Sequence, residues 1–166
     1  MRNKKVYNLV LGATIAALYI LLTYIANAMG IASMAIQVRF SEMLCVLPYF
    51  TPVAIPGLYI GCLLSNILIG SAWQDVVFGS IATLIGALYS YLLRKNKYLV
   101  PIPPIIANML IVPPVLIYAY GLEGTFFYFA ATVGIGEIIS CYALGLPLIF
   151  ALERYKVFKK NSKNGL

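Results

Sequence analysis

The stretch FFYFAATVGIGEIISCYALGLPLIFA, residues 126–151, is apolar throughout except for one carboxylate, Glu137. A helix rises ~1.5 Å per residue, so about 20 residues cross a hydrocarbon core of ~30 Å, and this run is long enough to do so. A charge placed in that core costs at least ~2.5 kcal/mol, so Glu137 is expected to face a polar cavity. Counted from Phe126 it lies about 16 Å down the helix, deep enough to floor a pocket.

The rest of the chain is of the same kind. Of 166 residues, 62% are hydrophobic and only 10% are charged, a balance with no soluble-domain reading at this length. The apolar run that follows Arg2, Lys4 and Lys5 continues to about Ala28, which makes it a first transmembrane helix and too long for the apolar core of a cleavable signal. Charges, prolines and glycines divide the sequence into helices at roughly 6–28, 40–51, 53–70, 75–93, 99–120 and 126–153, followed by a basic tail at 154–166. The expected architecture is therefore an all-α integral membrane protein, a single domain over residues 1–166 built as a bundle of six transmembrane helices. The second helix is short for a crossing, and Pro48, Pro52 and Pro56 interrupt its region, so a short or bent segment shielded by its neighbours is expected there.

Basic residues other than Arg39 fall in three groups: Arg2, Lys4 and Lys5; Arg94, Lys95 and Lys97; and Arg154, Lys156, Lys159, Lys160 and Lys163. Four crossings separate the first two groups and two separate the last two, so all three lie on one side. The positive-inside rule makes that side the cytoplasm and places both termini there. Arg39, Glu42, Asp75 and Glu123 then lie at or near the external side. The net charge of +7 follows from this topology and from attraction to anionic lipid. Nucleic acid is not an expected partner, because the basic residues are split among loops and form no single patch.

Several chemistries are excluded. The chain has no phosphate-cradling G-x-x-x-x-G-K-[ST] motif, no histidine and no paired acids of the kind that hydrolases use, so it is not expected to be an enzyme. Cys45, Cys62 and Cys141 are odd in number and lie in apolar segments, which makes them packing residues; no metal or other cofactor is expected. Six helices without an internal repeat are also few for a self-sufficient secondary transporter. A membrane-embedded binding protein that draws its energy from partners remains.

Its binding residues are expected in the polar minority. Glu137 comes first. Arg39 and Glu42 stand three apart and on a helix share a face, so they form either an ion pair at the external mouth or, with Gln37, a ligand-facing group in which Arg39 holds Glu42 ionised. Asn66, Trp73, Gln74 and Asp75 cluster at the junction of the third and fourth helices. There Trp73 either stacks on a flat heterocycle or anchors at the interface, and Asp75 either binds ligand or caps its helix. Asn108, between Pro104 and Pro113, is a buried amide that needs a partner. Tyr118, Tyr120, Tyr128 and Tyr142 are candidates for the wall, none singled out among thirteen tyrosines, and Glu123 is a solvated loop residue. Small residues recur four apart in the third and fourth helices, as internal packing. In the first helix Gly12 and Ala16 overlap Ala13 and Ala17, and these pairs dock either a sister helix or a separate protein.

Three stretches, IQVRFSEMLCVLPYFTPVAIPGLYIGCLLSN from residue 36, DVVFGSIATLIGALYSYLLR from residue 75 and GIGEIISCYALGLPL from residue 134, resemble the QueT family of substrate-binding (S) components of energy-coupling factor (ECF) transporters. The resemblance covers roughly residues 8–152. It implies six helices that bind a vitamin-like solute from outside, a transmembrane coupling protein and two cytoplasmic ATPases as partners, and uptake of 7-deazaguanine precursors of queuosine. It also implies that Ala13 and Ala17 form the alanine pair that meets the coupling protein. A carboxylate can accept the adjacent ring N–H and exocyclic amine of such a base, and a cationic aminomethyl arm favours a second acid. Two alternatives stay open: an S component for another vitamin-like or aromatic solute, and a small proton-coupled dimeric transporter in which Glu137 exchanges the proton.

Overall fold

A computed structural model describes residues 3–30 and 38–158. Among them every regular element is helical: α1 (Lys4–Ala28), a 3₁₀ helix (Phe40–Tyr49), α2 (Ala54–Leu68), α3 (Trp73–Leu92), α4 (Ile102–Tyr118) and α5 (Phe126–Glu137). A π-helical turn (Ile138–Leu144) follows directly and runs into α6 (Gly145–Arg154). The last three form one rod over Phe126–Arg154, and that rod, α1 and α3 are long and apolar enough to cross a membrane, whereas α2 and α4 are shorter.

Four boundaries have a clear local cause. Asn3 caps α1 by accepting from the Lys5 backbone N–H, and Thr125 caps α5 by accepting from that of Tyr128. α1 and α2 end before Gly30 and Gly70, whose positive φ of 73° and 75° suits the residue without a Cβ. The expected helix at 40–51 is a 3₁₀ helix instead. Its ten residues cover about 20 Å at the ~2.0 Å rise of that form, where an α-helix would cover about 15 Å, so the tighter winding lengthens a segment that is short for its job.

The 3₁₀ helix is the centre of the bundle. It packs against α1, α2, α3, the π turn and α6, while α1–α2, α2–α3, α3–α4 and α4–α5 pack in chain order around it. Small residues set the tightest of these contacts. A Cβ on Gly57 would lie 2.8 Å from the Gly12 carbonyl oxygen, one on Gly61 3.1 Å from Ala16 Cα, and one on Gly86 2.7 Å from Pro104 Cα. Of the two overlapping pairs in α1, Gly12 and Ala16 therefore face α2, while Ala13 and Ala17 are exposed.

Two layers of contacts tie the ends of the segments. At one end Arg39 meets Asp75, and the Tyr120 hydroxyl donates to Asp75 and accepts from the Ala72 N–H. At the other, Glu153 accepts from Tyr49 at 2.7 Å and from Lys97 at 3.1 Å, and Phe50 stacks on Phe158.

Candidate functional site

Between those ends the buried polar residues converge on the 3₁₀ helix. Glu42 is 1% exposed; one of its oxygens accepts the Tyr19 hydroxyl from α1 and the other accepts the Cys45 thiol at 3.0 Å. Thr23 and Ser41 continue the α1 contact with a 2.8 Å hydroxyl bond. Glu137, 5% exposed, closes α5 directly before the π turn. The widened turn carries Cys141 round so that its thiol lies 3.5 Å from both the Glu137 carboxylate and the Glu42 backbone carbonyl. One oxygen each of Glu42 and Glu137 and the sulfur of Cys141 lie within 4.8 Å of one another. Tight packing holds this register, since a Cβ on Gly145 would sit 2.8 Å from Val46 Cγ1.

Asn108 approaches from α4. It is 3% exposed and interacts with Glu137, yet its Nδ2 makes no hydrogen bond of ordinary geometry. Pro113 and Pro114 stand inside the same helix and supply no N–H groups to bond the carbonyls of Met109 and Leu110, although the helix continues through them. Towards the Arg39 end, Asn66 donates to the Asp75 carbonyl at 3.4 Å and contacts the Cys62 sulfur at 3.7 Å. The Asp75 carboxylate takes Arg39 at 3.5 Å and Tyr120 at 3.2 Å on Oδ2, while buried Oδ1 has no partner.

The expected residues thus separate. Glu137, Glu42 and Asn108 come together, with Arg39, Asp75 and Asn66 forming the adjoining layer. Gln37 lies outside the described residues. Arg39 does not bridge to Glu42 as an α-helical spacing implies: it precedes the 3₁₀ helix in extended conformation and pairs across the bundle with Asp75. Asp75 is not a helix cap either, because α3 begins two residues earlier, after Ala72, and its carboxylate turns to Arg39. Trp73 is 68% exposed, as an interfacial anchor needs to be. Of the four tyrosines, Tyr120 joins the Asp75 layer; Tyr118 and Tyr128 are exposed, and Tyr142 bonds the Tyr98 carbonyl at the Glu153 end. Tyr19 is not among the expected residues, and Cys45 and Cys141, expected only as packing residues, set their thiols against the two acids. The signal for Tyr19 was its place on the small-residue face of α1, three residues after Ala16 and four before Thr23.

The two acids of this buried layer are bonded by neutral hydroxyl and thiol donors alone, and a carboxylate with lone pairs to spare can accept further N–H donors. The molecule is a multi-pass protein of the cell membrane, all-helical where described, with a polar site enclosed by its helices. More specifically, residues 9–154 match the QueT transporter family, and the chain belongs to that family. The family is one of transporters and not of enzymes. Among curated proteins, the chain is similar to the queuosine precursor transporter QueT of Lactococcus lactis subsp. cremoris (strain MG1363), with 39% identity over 85 residues. That match spans 51% of this chain and about half, 50%, of the relative's length. No solved structure matches the chain.

Proposed function

We propose that this chain is the substrate-binding S component of an energy-coupling factor importer, and that its substrate is a 7-deazaguanine precursor of queuosine. The observation that carries the substrate class is the meeting of Glu42 and Glu137 within 4.8 Å beside the unpaired Nδ2 of Asn108. A deazaguanine supplies what such a layer lacks: N–H donors for the acids and a carbonyl for the amide. The name of the Lactococcus relative supports the same solute class.

In this reading residues 1–166 form one domain with six crossings. The end contacts support it, because Arg39, Asp75 and Tyr120 meet at one end and Tyr49, Lys97 and Glu153 at the other, as alternating segments require. Lys97, Arg94 and Arg154 at the second end support a cytoplasmic orientation for it by the positive-inside rule, with the Arg39 end receiving solute. Asn66, Asp75 and Trp73 belong to that entrance. Ala13 and Ala17, exposed on α1, are the docking pair for a coupling protein that works with two ATPases.

Titration of the detergent-purified chain with 7-deazaguanine bases, with guanine as control, tests the substrate. Saturable binding of a deazaguanine is expected; binding of guanine alone, or of neither, would refute it. Uptake by the isolated chain in vesicles under a pH gradient, without any ATPase, would instead establish a proton-coupled transporter.

A further inference from the structure

The site holds more acidic side chains than basic ones. Among the described residues, Glu42, Asp75 and Glu137 are the buried acids. Arg39 is the basic residue that reaches them, and its guanidinium is paired with Asp75. The sequence has no histidine to add a charge. Glu42 accepts from a phenol and a thiol and Glu137 from a long thiol contact, all neutral donors, while the Asn108 amide lies against Glu137 without a hydrogen bond of ordinary geometry. Two carboxylates this close in a low-dielectric layer repel unless a cation or a shared proton lies between them.

From this geometry we infer that the Glu42–Glu137 pair selects for charge: it is the seat of an ammonium group, so the site prefers a 7-deazaguanine with a protonated aminomethyl arm to one with a neutral cyano group. The inference rests on the deazaguanine reading above and refines it. The dimensions agree. An ammonium donating two bonds of ~2.8 Å at a tetrahedral angle holds its acceptors about 4.6 Å apart, within the 4.8 Å that bounds the Glu42 and Glu137 oxygens here. The second observation that points to a ligand is Asn108, 97% buried by its 3% exposure and set against Glu137 with its Nδ2 unsatisfied. An acid pair that only shared a proton would leave that amide unanswered, whereas a base whose arm lies between the acids brings a carbonyl with it.

Calorimetric titration of the purified full chain with the 7-aminomethyl base, the 7-cyano base and guanine reads the preference directly. The aminomethyl base is expected to bind at least about 10-fold more tightly than the cyano base, the effect of one charge-assisted bond. Glu42→Gln and, independently, Glu137→Gln should each bring the two affinities together. Equal affinities in the unaltered chain would overturn charge selection while leaving the deazaguanine reading intact; failure of all three bases would overturn that reading itself. Because the glutamates and Cys141 are also metal-ligand types, the titration is repeated with a chelator and with Zn²⁺. Tight binding that needs added Zn²⁺ would assign the pair to a metal and end the proposal.

Discussion

A carboxylate buried among helices is worth most where its partners are fewest, which distinguishes Glu137 from Glu42. Glu42 is held on both oxygens by Tyr19 and Cys45 and behaves as part of the scaffold as well as of the site. Glu137 has the weaker thiol contact at 3.5 Å and is the freer acceptor. Glu137→Gln should therefore weaken deazaguanine binding by about 1.5–3 kcal/mol, the worth of a hydrogen bond to a charged group, with little change in thermal unfolding. An unaltered affinity in titration would remove Glu137 from the site. Tyr19→Phe should do the opposite: it deprives a buried acid of a donor and should lower stability by about 1–3 kcal/mol, seen as a fall in the melting temperature of the detergent-solubilised protein. At this scale the acids stand out in the sequence, because a charge inside or beside an apolar run is costly to bury without partners. Their partners do not. Tyr19 is one of thirteen tyrosines, and the choice of Asp75 by Arg39 depends on how helices far apart in sequence meet.

Winding and close approach decide what each element can present. The positions of the helices were readable from apolar runs and their Gly and Pro boundaries, but the 3₁₀ and π forms were not, since a change in hydrogen-bond register leaves no mark in an apolar composition. Both forms lie where the site is: the 3₁₀ helix carries Glu42, and the π turn starts immediately after Glu137. The glycine spacing of α2 was legible as packing and proves to face α1 at van der Waals limits. A Cβ on Gly61 would stand 2.8 Å from Tyr19 Cβ and 3.1 Å from the Ala16 carbonyl oxygen. Gly61→Leu should thus separate α1 from α2 and cost about 1–3 kcal/mol or more in stability. It should also weaken ligand binding, because the displaced helix is the one that holds Glu42 through Tyr19. Retained stability and binding, measured by thermal unfolding and titration, would mean that the α1–α2 contact is looser than the structure has it.

For the whole molecule, the question is which faces are committed to the bundle and which are left for partners. α1 answers it within one turn. Gly12 and Ala16 are spent on α2, where the backbones touch, while Ala13 and Ala17, one residue further round, stay exposed. Lipid alone does not ask for small residues there, since a leucine fills acyl surroundings better; a flat strip of alanines is what a second helix needs for close approach. The sequence offered both pairs without deciding between them, because only the direction of α2 tells which one is occupied. Replacing Ala13 and Ala17 together by Leu should consequently leave the fold and deazaguanine binding of the isolated chain unchanged. In cells that express the coupling protein and ATPases it should abolish uptake, because the added branches hold a docking helix away. Measuring both on the same variant separates the possibilities. Loss of binding along with uptake would place the pair inside the bundle's own packing, and uptake at the unaltered rate would mean that coupling, if it occurs, uses another face of the protein.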